Sequence, residues 1–185
     1  MIEIEREFTF LVNNLPADLD EFPSKIVEDN YIPASSKHPI LRLRRNDEKY
    51  MITKKCPVDS TDGGETGDSS RQIEQTIPLT KVEFDFINNL DGKRVKKRRF
   101  NYRGAEIDVF LGELSGLILA DFEFADEKEM EKFAKPDWCG ADVTQERLIA
   151  GGILAGKSYA DISAELSEKY NYKAVKNIEK YEEAK

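Results

Sequence analysis

The chain's 185 residues are enough for one domain with a real core, and its 39% apolar and 35% charged residues suit a globular protein rather than a disordered tail or a membrane-buried one. A formal net charge of −8 argues against general nucleic-acid binding, yet residues 42–55 and 93–103 are strongly basic while 106–131 and 161–185 are acidic, a split that suits a small, highly charged anion. No apolar run approaches the ~20 residues of a bilayer span; the start MIEIEREF does not read as a signal peptide, Cys56 and Cys139 fit no metal spacing, and a cytoplasmic protein with reduced thiols is expected.

In chain order, residues 2–12 alternate and then turn apolar, which predicts a first strand. Residues 18–29 predict a short helix with Asp18 as its cap and Leu19, Phe22 and Ile26 on one face. ILRLRR and KYMITKK, joined at Asn46-Asp47, predict a hairpin. Residues 57–70 are a polar loop, and RQIEQTI is a further short strand. Thr80 followed by Glu83 has capping-box spacing and opens a helix that Asp91-Gly92 ends. RVKKRRFNY, GAEIDVF and LILADFEFA predict three more strands. Helical stretches follow at 126–134 and 144–154. From Ser158 to about Lys180 an apolar stripe (Ile162, Leu166, Tyr170, Val175, Ile178) recurs at helical spacing, with a break at Asn171. Short links between neighbouring strands make the expected sheet antiparallel, in an α+β fold.

Side chains at i and i+2 of a strand share a face, ~6.6 Å apart. Four strands carry like-charged pairs in that pattern: Glu3 and Glu5, Arg42 and Arg44, Lys97 and Arg99, Asp121 and Glu123. Lys54 ends a fifth strand, and Asp108 sits between Ile107 and Val109 in a sixth. Taken singly, each pair is the wet face of an ordinary sheet. As a set they are costly unless something binds between them, because like charges on one face repel. A closed barrel would turn these faces inward, where carboxylates suit Mg²⁺ or Mn²⁺ and guanidinium or ammonium groups suit phosphate oxygens.

These residues resemble those of a known family, the CYTH proteins or triphosphate tunnel metalloenzymes. Glu3-Ile4-Glu5-Arg6 supplies most of the family's N-terminal E-x-E-x-K, Arg42-Leu43-Arg44 its R-x-R strand, Lys54 its hairpin lysine and Lys97-Arg98-Arg99 its K-x-R strand. EIDVFLGELSGLILADFEF (106–124) is similar to its strand–hairpin–strand with an aspartate and a late acidic pair, and Trp138-Cys139-Gly140 with Val143-Thr144 to its segment after the last helix. The resemblance implies a closed antiparallel barrel over residues 1–155, open at both ends; the extension at 156–185 lies outside the family pattern, and its apolar stripe makes it a C-terminal helical extension expected to pack on or beside the barrel. It implies Glu3, Glu5, Asp121 and Glu123 as ligands of Mg²⁺ or Mn²⁺. Arg42, Arg44, Lys54, Lys97 and Arg99 would hold phosphate, and Asp108 and Glu5 would take catalytic roles, Asp108 by orienting water. The implied activity is metal-dependent hydrolysis of a triphosphate, inorganic or borne by a nucleoside or thiamine. The alternatives are a module that binds such a ligand without efficient turnover, and adenylate cyclisation. A small triphosphate-bearing ligand, a homodimer through the extension, and no membrane partner complete the expectation.

The chain departs from the family pattern at several positions. Glu7 stands where the signature has lysine and faces the same way as Glu3 and Glu5, which calls for a basic neighbour (the 94–99 strand is rich in them), protonation or a metal. The strand at 71–77 places Ile73 and Gln75 at two usual glutamates, with Glu74 turned inward only by a one-residue bulge. Arg147 is the one candidate cation of the stretch after 146. Gly151–Ser158 satisfies G-x-x-x-x-G-K-[ST], but neither follows a clear strand nor opens a βαβ unit, and reads as chance. His38 reads as a surface-loop residue and Trp138 as packing.

Overall fold

The computed structural model describes residues 2–38, 40–61 and 66–182; residues 62–65 of the polar loop and the last three residues of the extension lie outside the described residues. Among the described residues eight strands form a closed antiparallel barrel: β1 (Ile2–Leu11), β2 (Ser24–Ile32), β3 (Leu41–Asn46), β4 (Lys49–Pro57), β5 (Arg71–Leu79), β6 (Lys93–Tyr102), β7 (Ala105–Phe110) and β8 (Ile118–Glu123). Around the barrel the order is β1-β5-β4-β3-β2-β6-β7-β8. β1 closes it, pairing β5 through residues 2–6 and β8 through residues 7–11.

One expected helix is a strand. Residues 18–29 form a single 3₁₀ turn, Leu19–Glu21, and then β2, which pairs β3 on one side and β6 on the other. Leu19, Phe22 and Ile26 still pack on one apolar cluster, as a helix face would, but from a turn and a strand. β-Branched Ile26 and Val27 suit the extended backbone, and two flanking strands supply its hydrogen bonds. The capping box at Thr80 and Glu83 is present and opens α1 (Lys81–Ile87). α2 (Glu127–Glu131) is short, and the 144–154 stretch is a 3₁₀ turn at Arg147–Ile149 followed by α3 (Gly151–Leu154). α4 (Tyr159–Tyr170) starts with a Ser158–Asp161 capping box and stops at Asn171, whose φ of 51° is left-handed. Residues 172–182 are irregular, apart from a turn at Glu179–Tyr181, rather than helical to Lys180.

Two apolar clusters organise the molecule. Outside the β1–β8–β7–β6 wall, Phe10, Phe100, Ile107, Ala120 and Phe122 face outward and are covered by Leu19, Ile178 and Tyr181, with Phe133 and Trp138 at the margin. Trp138 packs edge-on to Tyr102 and tilted against Phe122, so it is a packing residue. The second cluster fills one end of the barrel. Leu11, Tyr31, Val95, Phe110 and Leu119 lie on the lumen face of their strands and meet Leu154, Ile162, Leu166 and Tyr172. α3 and α4 therefore plug a lumen expected to be open at both ends. Among the described residues no helix is long and apolar enough to cross a membrane.

Deleting residues 157–185 removes Ile162, Leu166 and Tyr172 from that plug and Ile178 and Tyr181 from the outer cluster, all buried. At about 1.5–3 kcal/mol for each large apolar side chain, the loss rivals the whole stability of a domain. The truncated chain is expected to show no cooperative thermal transition; a melting temperature within a few degrees of the full chain would refute the plug.

Candidate active site

Strand pairing sets which side chains enter the lumen. Partners across an antiparallel ladder share a face, so Glu7 with Glu123, Thr9 with Asp121, Asp121 with Glu106, Asp108 with Arg99, and Arg44 with Asp29 all point inward. They surround a cavity of about 480 Å³. Its basic residues are Arg42 and Arg44 of β3, Lys55 of β4, and Lys97 and Arg99 of β6, with Arg147 at the margin. Its acidic residues come from β1, β5, β7 and β8, with Glu146 from the segment that follows.

Burial forces these charges into pairs. Arg44 donates two hydrogen bonds to Asp29, at 2.6 and 2.8 Å. Burial alone would raise the Asp29 pKa, but Arg44 outweighs it and holds the carboxyl down to about 2. Arg99 forks onto Asp108 with two bonds of 2.7 Å, pairs with Glu106, and lies 3.7 Å from Asp121. Lys97 also pairs with Asp108. Burial opposes the charge on Asp108, yet Arg99 and Lys97 hold it far below the carboxylate range. It is thus an ionised carboxylate in the cavity wall, paired with two cations. Burial, helped by nearby Arg99 and Arg44, lowers the Lys97 pKa despite Asp108.

On the acidic side, burial and then the charges of Asp108 and Glu7 push Asp121 up to about 6. Thr9 Oγ1 donates to its Oδ1 at 2.8 Å. Glu123, at the exposed rim, is pushed up to about 7 by burial and by Glu106, Glu5 and Glu7. Carboxylate oxygens of Glu3, Glu5 and Glu74 lie within 4.8 Å of one another, a spacing that one divalent cation can bridge.

Most of the expected residues converge here: Glu5, Arg42, Arg44, Lys97, Arg99, Asp108, Asp121 and Glu123 line the cavity, and Glu3 reaches its rim. Lys54 does not. It is exposed on the outer face, and its neighbour Lys55 takes the lumen position, because Thr53, buried in the lumen opposite Thr76, sets the parity of β4. The register of β5 is likewise one residue from that expected. Gln72 and Glu74 line the lumen without any bulge, since Glu74 faces Glu3 across β1 and Lys55 across β4 in unbroken ladders. Ile73 and Gln75 therefore face outward, and the single Glu74 stands where two acids were sought.

Glu7 does enter the lumen, and its basic neighbour is Lys55, at 2.8 Å, rather than a residue of β6. Arg147 lines the cavity from a segment that crosses it and is tied down by Glu146. That carboxylate accepts from Lys169 Nζ at 3.0 Å, Tyr170 Oη at 2.9 Å and Leu148 N at 3.1 Å. Gln145 bridges this segment to the polar loop through Asp68 and Ser69. His38, read as a surface residue, lines the cavity half-buried. The Gly151–Ser158 string is the turn of helix at α3, where a Cβ at Gly151 would collide with the Tyr31 hydroxyl; no strand leads into it. Gly151 serves close packing and Gly156 a left-handed turn with φ of 79°, rather than a phosphate loop.

No protein-family model matches the chain. An inorganic triphosphatase of Nitrosomonas europaea is 32% identical over 161 residues, 84% of this chain and 97% of that protein. An inorganic triphosphatase of Acetivibrio thermocellus is 35% identical over 119 residues, 62% of this chain and 69% of that protein. Among solved structures, the crystal structure of an inorganic triphosphatase superposes with a TM-score of 0.56 at 27% identity, over 83% of this chain and 95% of the other. With likeness over nearly the whole of the first relative, and a closed antiparallel barrel in common with the solved triphosphatase, the chain belongs to the family of these inorganic triphosphatases.

Proposed function

We propose that this chain is a triphosphate-tunnel enzyme that hydrolyses inorganic tripolyphosphate in its lumen with a divalent metal. The observation that carries the reading is the placement of Glu3, Glu5 and Glu74 beside a lumen lined by Arg42, Arg44, Lys97 and Arg99, in a chain 32% identical to an inorganic triphosphatase. The donor set is all carboxylate oxygen, which fits Mg²⁺ or Mn²⁺. When bound, such an ion supplies charge neutralisation at the phosphoryl oxygens. Asp121 and Glu123, expected as ligands from sequence, stand farther round the wall next to Glu7 and Glu106.

The chain's own residues position the reaction. Arg42 and Arg44 grip the polyphosphate from β3, Lys97 and Arg99 from β6, and Asp108 keeps the latter two in place. Water adds to a terminal phosphorus as the P–O bond to the rest of the chain breaks, giving orthophosphate and pyrophosphate. Asp121, with a pKa near neutrality and one oxygen held by Thr9, takes the proton of that water. The aromatic residues lining the cavity, Tyr31 and Phe110, belong to the buried plug, which favours a bare phosphate chain over a base-bearing substrate.

A binding-only tunnel is the second reading, favoured by Glu7, a carboxylate on the lumen wall that repels an anion when its pairing with Lys55 is disturbed. Phosphate release measured with Mg²⁺ or Mn²⁺ on tripolyphosphate, ATP and thiamine triphosphate separates the two. Release is expected to be greatest on tripolyphosphate, to vanish with chelator, and to fall by about 10²–10³ in Glu5→Gln. Retained tripolyphosphate binding without release above background would establish the binding-only tunnel.

A further inference from the structure

The carboxylates that converge at the lumen rim already carry positive partners. Lys55 Nζ lies 2.5 Å from Glu5 Oε2, and an Arg42 nitrogen lies 3.7 Å from Glu74 Oε2. The two acids that flank Lys55 hold it differently. Glu7 Oε1 accepts a directed hydrogen bond from Lys55 at 2.8 Å and another from Gln72 at 3.0 Å. Glu5 Oε2 lies closer to the ammonium, at 2.5 Å, but out of line for a well-directed hydrogen bond, so charge dominates that contact. Lys55 is only 21% exposed, and its partners less, so this electrostatic contact is poorly screened by water.

We propose that Lys55 is an internal counter-cation which a divalent metal displaces from Glu5, handing the ammonium to Glu7 and to the bound polyphosphate. The inference rests on the reading above that Glu3, Glu5 and Glu74 hold a divalent cation. Two cations cannot share Glu5 closely without repulsion, and the lysine stem is flexible enough to swing without disturbing β4. Glu7 keeps the displaced ammonium inside the lumen instead of losing it to solvent. Metal arrival therefore adds a phosphate-binding charge besides its own. By reciprocity polyphosphate tightens the metal by the same factor.

The test titrates the full-length protein with Mn²⁺ alone by calorimetry at fixed ionic strength, and then with tripolyphosphate at zero and saturating Mn²⁺. Lys55→Met and Lys55→Gln are compared with Lys54→Met, which removes the same charge from the adjacent, outward-facing position. Both Lys55 variants are expected to bind Mn²⁺ about tenfold more tightly than the parent, with Lys54→Met within about twofold of it. The factor by which Mn²⁺ tightens tripolyphosphate is expected to fall about tenfold in the Lys55 variants alone. Equal effects from Lys54 and Lys55, or unchanged Mn²⁺ affinity in either folded Lys55 variant, would overturn the counter-cation role while leaving the metal site standing. A parent that turns over tripolyphosphate but binds no Mn²⁺ would overturn the metal assignment and this inference together.

Discussion

Arg99→Ala is expected to destabilise the barrel by about 3–5 kcal/mol, the cost of stranding buried charges by removing one partner. Arg99 forks onto Asp108, pairs with Glu106 and faces Asp121, and its side chain is only 11% exposed. Without it, Asp108 keeps Lys97 alone, and Glu106 and Asp121 lose their cation beside Glu123 and a Glu7 held only by Lys55. At roughly 2–4 °C per kcal/mol for a chain of this size, the melting temperature should fall by roughly 10 °C. Arg99→Lys keeps the charge but replaces a two-pronged donor by a point ammonium, so it should recover only part of the loss. A thermal scan of both variants decides the matter. A shift within about 2 °C for Arg99→Ala would mean that water penetrates the lumen and screens these pairs.

The same residues show how much of the molecule was legible in advance. Alternation of charged and apolar residues marks most of the strands, and the convergence of Glu5, Arg42, Arg44, Lys97, Arg99, Asp121 and Glu123 on one cavity follows from period 2 once the sheet closes. Parity within a strand of mixed polarity does not follow. Lys54-Lys55 is a pair of equal residues, and only the pairing of Thr53 with Thr76 decides which enters. In RQIEQTI, polar residues flank Ile73 on both sides, so Glu74 or Gln75 fits a lumen equally well until β1 and β4 impose the ladder. β2 was missed for a related reason: Leu19, Phe22 and Ile26 also match a helical stripe, and only its neighbours β3 and β6 reveal a strand. Thr9, Asp29, Gln145 and Glu146 reach the site through contacts 15 to 135 residues apart in sequence, for which local pattern carries no signal.

The metal-free protein is expected to lose stability as pH rises from about 4 to 7, the reverse of ordinary acid denaturation. Asp121 titrates near 6 in the folded chain against an ordinary 3.8, and Glu123 near 7 against 4.5. Between those limits the folded state binds more protons than the unfolded one. Each group's contribution is therefore complete below its unfolded value and disappears as pH climbs through its folded one. For Asp121 the loss is about 1–3 kcal/mol; exposed Glu123 adds less, because solvent screens it. Asp29, held at about 2 by Arg44, acts with the opposite sign, and its contribution is lost only as pH falls from about 4 towards 2. The profile should thus peak near pH 4–5. Asp121→Asn keeps the shape without the charge and should flatten the decline between pH 5 and 7, with its largest gain over the parent above pH 7. Thermal scans of the parent and of Asp121→Asn in chelator across pH 4–8 measure this directly. A parent whose melting temperature rises steadily to pH 7 would show that Asp121 is ionised throughout, with its negative neighbours already neutralised by Lys55, Lys97 and Arg99, and would remove Asp121 as the acceptor of the water proton.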